Sequence, residues 1–237
     1  MNRLLLLLCV LLTASPASAG IRATYAGTTE PKEVVVEIAD GGSAARVSTP
    51  GRDDYGLLVG DQFYIVGSRS GKLEVARVAD IAAAFDRVMP PIFKNLFGAA
   101  GNGIKVTALK AVRGGSKTVA GVAGEVWLVK GLDDGKPDAA MEIVVSHDPA
   151  LAPVGRALSA FFESGMVMMR PLLGSGTAEM VRQNRQMFAL GTPIASADRF
   201  TLTRLEIVSL PESRFVLPAR PATVDDLAAE MKVTQAN

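Results

Sequence analysis

His147 is the single histidine of the chain, and it stands between the alternating run Met141, Ile143, Val145 and the pair Asp148-Pro149. An imidazole titrates near neutral pH, which suits general acid–base work and metal ligation, so His147 is the first residue to weigh for chemistry. A lone histidine needs carboxylate or methionine partners brought from elsewhere in the fold. The local alternative is structural: Asp148 is a good helix N-cap and Pro149 suits the first helical position, which makes His147 the last residue before a helix. Met166, Met168, Met169, Met180 and Met187 fall within 22 residues. Their thioethers allow three readings: soft ligands for copper(I), deformable core packing, or the wall of an adaptable apolar cavity.

Other motifs resolve into turns. Gly67-Ser68-Arg69-Ser70-Gly71 has arginine where a hydrolase elbow needs its serine. Gly98-Ala99-Ala100-Gly101-Asn102-Gly103 runs from helix to strand, whereas a pyrophosphate loop must run from strand to helix. Gly114-Gly115-Ser116-Lys117-Thr118 lacks the Gly-Lys-Ser/Thr order of a phosphate loop. Asp133, Asp134 and Asp138 lack calcium-loop spacing, and Asp53, Asp54 and Tyr55 read as a turn. No constellation identifies a reaction, so an enzyme is not expected, and neither a cofactor nor a metal is implied.

Met1 to Arg3, the apolar run Leu4 to Leu12 and Ala17-Ser18-Ala19 read as an export signal cut after Ala19. The apolar run is too short to span a bilayer, which needs about 20 residues, so stable membrane insertion of the mature chain is not expected. Of the chain's 237 residues the signal leaves 218, with a hydrophobic fraction that suits a globular fold. Cys9, the only cysteine, lies inside the signal, so the mature chain has neither a disulfide nor a thiol nucleophile. Without Arg3 the 25 basic residues become 24, against 24 acidic ones. A neutral chain with dispersed charge has no electrostatic footprint for nucleic acid or anionic membrane. The expected location is periplasmic.

The elements that must position these residues begin with strands. From Ile21 to Val78 the pattern alternates, with turns at Gly41-Gly42, Gly60-Asp61 and Ser70-Gly71, and predicts an antiparallel meander. Ile81 to Phe97 then recurs at helical steps behind Asp80 as N-cap, interrupted by Pro90-Pro91. A second meander is expected from Ile104, turning at Arg113-Gly114-Gly115-Ser116, continuing through Glu125–Val129 and ending with Met141–Ser146. A helix starting at Asp148 carries the stripe Leu151, Val154, Leu158, Phe161, Phe162, Met166 and Met169, and another spans Glu179 to Leu190. Phe200–Val208 and Arg214–Leu217 read as a closing strand pair, and Thr223 as the cap of a last short helix. The division is a signal at 1–19, one domain at 20–220 and a C-terminal helical tail at 221–237.

The tract Lys117-Thr118-Val119-Ala120-Gly121-Val122-Ala123-Gly124-Glu125-Val126-Trp127, the step Gly191-Thr192-Pro193 and the closing Leu210-Pro211-Glu212-Ser213-Arg214-Phe215-Val216-Leu217-Pro218 together resemble a family of exported bacterial proteins. That family carries a domain of unknown function related to the lipoprotein-carrier fold of LolA and LolB. The resemblance implies an α+β fold: a strongly curved antiparallel half-barrel sheet with helices packed across its concave face and an apolar cavity between. Ala123-Gly124 stands where relatives often have cysteine, and no lid or ligand residue of the carriers transfers. The expectation is an exported, soluble envelope protein binding a lipid, acyl chain or lipidated peptide. Its cavity candidates are Phe85, Met89, Phe93, Phe97, Leu158, Phe161, Phe162, Met166 and Met169. The alternative is a structural module with a filled core and an envelope protein as partner.

Overall fold

The computed structural model describes residues 19–69, 71–94, 108–131, 138–174, 176–197 and 199–236. The expected export signal as far as residue 18, Phe97, the glycine run from Gly98 and the aspartates Asp133 and Asp134 therefore lie outside the described residues. The fold is α+β. Alternating apolar residues build β1 (Ala19–Gly27), β2 (Glu33–Ile38), β3 (Ala44–Ser48), β4 (Tyr55–Val59), β5 (Gln62–Arg69) and β6 (Lys72–Arg77), each antiparallel to the next. The register aligns Ala23, Val36, Val47, Gly56, Ile65 and Ala76 in one row across the six strands. Gly56 is required there, because a Cβ would lie 2.3 Å from the Phe63 ring that covers it.

The second set comprises β7 (Lys110–Val119), β8 (Val122–Lys130), β9 (Met141–Ser146), β10 (Thr192–Ser196) and β11 (Phe200–Ser209). The first strand of the chain pairs with the last: β1 joins β11, giving the order β6-β5-β4-β3-β2-β1-β11-β10-β9-β8-β7 in an open eleven-stranded antiparallel sheet. The helices fill the two long connections and the tail: α1 (Val78–Val88), α2 (Ala152–Met168), α3 (Arg170–Leu173), α4 (Gly176–Phe188) and α5 (Val224–Ala236). Helix α2 lies on the sheet, with Leu151, Val154, Ala157 and Leu158 buried among Val36, Val47, Phe63 and Ile194. No helix of the described residues is long and apolar enough to cross a membrane.

Four expected features differ. Asp80 is not the cap of α1: Arg77 holds that position, and Asp80, three residues on, pairs with its guanidinium at 2.6 Å. Arg113–Ser116 is not a turn but a bulge inside β7, where the register with β8 slips by one residue. The reversal falls at Ala120-Gly121, both at positive φ (48° and 80°), as a two-residue hairpin turn demands. Tyr55 opens β4 and takes Arg46 over its ring at 3.4 Å. Arg214–Leu217 does not pair, because both edges of β11 already have partners in β1 and β10. Residues Glu212–Phe215 instead form a 3-10 turn that buries Phe215, and Leu217 packs on Leu57, Val66 and Val75. That sheet face is opposite the one α2 covers.

Glu37, on the same outer face, is buried and receives four N–H bonds: two from Arg22 at 2.8–3.0 Å and two from Arg214 at 2.6–3.0 Å. The ion pairs tie the closing segment to the centre of the sheet. At the chain's end, Thr223 and Asp226 exchange cap bonds (Thr223 N to Asp226 Oδ2, 3.0 Å; Asp226 N to Thr223 Oγ1, 3.2 Å). Helix α5 so started docks Leu227 and Ala228 against Ala84 of α1.

Candidate functional site

A cavity of about 710 Å³ opens between α2, α4 and the strand ends of β1, β2, β9, β10 and β11. Each wall follows from local sequence. On α2, Leu158, Phe161, Phe162 and Met166 recur at steps that keep them on one side of a helix, and all four line the cavity. On α4, Met180, Gln183, Asn184 and Met187 occupy positions i, i+3, i+4 and i+7 and form the facing wall. Gly174 at φ 53° ends α3 and lets the chain turn back into α4. The sheet contributes Tyr25, Val34, Met141 and Phe200.

The spacing of the two helices is set by polar contacts beside the cavity. Asn184, buried, donates to Ser159 Oγ at 3.1 Å and to Glu163 Oε1 at 3.4 Å. Arg185 grips the same Glu163 with bonds of 2.9 and 3.1 Å. At the start of α2, a Cβ on Gly155 would lie 2.5 Å from Thr192 Oγ1, so glycine allows helix and strand to touch. The Thr192 hydroxyl donates to Leu151 O at 3.0 Å.

An aromatic chain runs from core to cavity: Phe63 to Phe161 (6.3 Å between centroids), Phe161 to Phe162 (5.6 Å), Phe162 to Phe200 (6.5 Å) and Phe200 to Tyr25 (5.9 Å, edge-on). The Tyr25 hydroxyl donates to Pro193 O at 3.2 Å, and burial pushes its phenol far above the ordinary value, so it stays neutral. At the mouth, the loop after β1 is tied to the turn before β11 by Thr28 N donating to Arg199 O at 3.0 Å. Glu30 and Arg199 are the charged lining residues, both exposed at this rim.

Of the residues singled out from the sequence, Leu158, Phe161, Phe162 and Met166 meet at this cavity. Phe85 and Met89 lie on and just after α1, outside the cavity lining, half-buried and buried respectively. Helix α1 spends its Ile81–Ala84–Val88 face on α5. Phe93 and Met169 are exposed, at 47% and 44%, because Pro90 ends the first helical run and Met169 stands at the turn between α2 and α3. The sheet residues Tyr25, Met141 and Phe200 escaped sequence reading, since strand alternation marks a buried face without saying whether a helix or a space covers it. The α4 pattern at 180, 183, 184 and 187 was the available signal.

Of the five clustered methionines, Met166, Met180 and Met187 line the cavity, whereas Met168 and Met169 are exposed outside it. Met180 and Met187 stand roughly 10 Å apart along α4, a spacing for lining and not for chelation. Met141 Sδ already accepts from Ser196 Oγ at 3.3 Å, and Met141 packs with Met187 against Val129 and Ile143. Among the described residues no group of three histidine, cysteine or acidic side chains converges as a metal site. His147 is exposed at the start of the α2 connection, 3.2 Å from Glu125 Oε2, while Asp148 Oδ1 caps the next turn by accepting from Ala150 N at 2.9 Å. Glu125 also accepts from Trp127 Nε1 at 2.9 Å and pairs with Arg113. The His147 bond foremost, with Arg113 and Trp127, holds the Glu125 carboxyl below its usual range.

No protein-family profile and no curated protein matches the chain. Two solved structures overlap it weakly. One is an uncharacterized conserved protein from Thermus thermophilus, with a TM-score of 0.38 and 10% identity, covering 85% of this chain and 86% of that one. The other is MucB, with a TM-score of 0.36 and 13% identity over 85% of this chain, which spans 58% of the MucB chain. At these scores the overlaps carry no argument about function.

Proposed function

We propose that this protein is an exported, non-enzymatic protein of the cell envelope that binds an apolar ligand, such as an acyl chain or lipidated peptide. The observation that carries the reading is the open cavity walled by Met141, Met166, Met180, Met187 and four aromatic rings. Thioether and phenyl surfaces that face space, with the charged groups confined to the rim, are the make-up of an apolar ligand site. The resemblance of the sequence to the carrier-related family and the export signal point the same way. Extraction and native mass spectrometry of protein purified from an exporting host test it. Co-purifying lipid, or saturable binding of a fluorescent fatty acid, is the expected result. Clean protein that ignores such probes overturns the reading. Export itself is checked by the intact mass, which should lack the first 19 residues.

A surface role in contact with an envelope partner is the second reading. It rests on Val112 and Leu128, paired across the outermost strands β7 and β8 and exposed at 64% and 42%. Serine at both positions, leaving ligand binding intact but abolishing the cellular phenotype, would favour it.

A further inference from the structure

Resting on the acyl-binding reading above, we propose that the cavity takes one acyl chain of a single-chain amphiphile, leaving its polar head at the rim formed by residues 28–31 and Arg199.

Capacity sets the number of chains. A methylene packed at the density of a protein interior occupies roughly 27 Å³, so a chain of about 16 to 18 carbons fills roughly 430–490 Å³. The space of about 710 Å³ holds one such chain with room at the mouth, and two chains exceed it. The lining is also divided by polarity. Phe161, Phe162, Met166 and Met180 stand on the helical walls, where the amides of Gln183 and Asn184 donate to Gly131 O and to Ser159 and Glu163, whereas the charged lining residues Glu30 and Arg199 stand on the two loops at the open end. A bare hydrocarbon would leave that polar rim unused, and a lipid with several chains would leave at least one in water. The rim offers one cation and one anion, which suits a carboxylate or a zwitterionic phosphoethanolamine head equally in sign. The thioethers have three rotatable bonds each and adapt to chain length and kinks, so selectivity falls on the number of chains and not on their length.

The test displaces a fluorescent fatty-acid probe from the full mature protein with oleate, monoacyl phosphatidylethanolamine, diacyl phosphatidylethanolamine and a triacylated lipopeptide, and reads stoichiometry by native mass spectrometry. One-to-one adducts with the first two are expected, with diacyl and triacyl ligands at least about tenfold weaker. Arg199→Ala should weaken both single-chain ligands by roughly three- to tenfold, and Glu30→Gln only the zwitterionic one, which separates a free fatty acid from a monoacyl phospholipid as the source. Met180→Trp sets an indole on the helical wall in the path of the chain and should weaken probe binding at least about tenfold with an unchanged circular dichroism spectrum. Should that variant misfold, Met166→Trp serves instead. Equal affinity for diacyl lipid, two chains per protein, or normal binding by a folded variant with the obstructed wall overturns the proposal while leaving apolar binding in place. Binding of no acyl compound at all overturns the underlying reading with it.

Discussion

At the Gly155–Thr192 contact a single hydrogen in place of a methyl lets α2 sit against β10, with the Thr192 hydroxyl bonded to Leu151 O. Gly155→Ala should therefore cost about 1–3 kcal/mol, because the Thr192 hydroxyl, which a Cβ would meet at 2.5 Å, must give up its bond to Leu151 O or the helix must draw back from β10, and chemical denaturation measures it. Glu37 poses the opposite case, a buried carboxylate whose four charge-assisted bonds come from Arg22 and Arg214. Glu37→Ala should lose about 3 kcal/mol and loosen the 210–218 segment, seen as faster amide exchange there. The alternation of β2 places Glu37 on the face opposite Val36 and Ile38, and its burial depends on the segment around Arg214, far away in sequence. Glu125 supplies a pH signature. Its folded pKa is depressed, so its contribution is present above the unfolded carboxylate value of about 4.3 and is lost as pH falls below that value through the lower folded one. Glu125→Gln should lower the melting temperature at neutral pH and flatten its fall on the acid side, so that the difference from the unsubstituted protein shrinks as the pH is lowered.

At the scale of elements, patterns within one segment were legible and partners were not. The six strands of the first meander, the Pro90 break, the Asp148-Pro149 start and the Thr223 cap follow from local sequence, because turns and caps are satisfied by neighbours. Strand β10 was read only as the step Gly191-Thr192-Pro193 before a strand, since proline inside a central strand argues against one. The sheet accepts it through a bulge between Pro193 and Ala195, and the Pro193 carbonyl gains the Tyr25 hydroxyl. The tail helix is too short to be stable alone in water and depends on docking. Leu227, 5% exposed against α1, makes this measurable: Leu227→Ala should cost about 2–4 kcal/mol, and thermal melts should show α1 and α5 lost together.

For the whole molecule, the join of β1 to β11 turns two meanders into one sheet and brings the loop after β1 beside the turn before β11, where the cavity opens. The ends of the strand-forming chain thus meet at its centre, and the site depends on the complete fold. A ligand bound only by the folded state at a hundredfold excess over its Kd adds about 2.7 kcal/mol, or a rise in Tm of roughly 5–10 °C for a chain of this size. Calorimetry with and without oleate checks it. The same ligand should produce a smaller shift in a Met180→Trp variant.

The amino-acid order by itself determined most of the strand and helix content, the turns at Gly41-Gly42, Gly60 and Gly71, the helix starts at Asp148 and Thr223 and the apolar stripe on α2, because each depends on contacts a few residues apart. It also leaves the chain after Cys9 without a thiol. Only the tertiary structure decided which apolar stripe faces space. The stripe of α1 is covered by α5, and that of α2 continues from core residues at Leu158 to cavity residues at Met166. A run of hydrophobic residues looks the same whether protein or a void lies opposite, and what lies opposite is set by packing between segments more than a hundred residues apart.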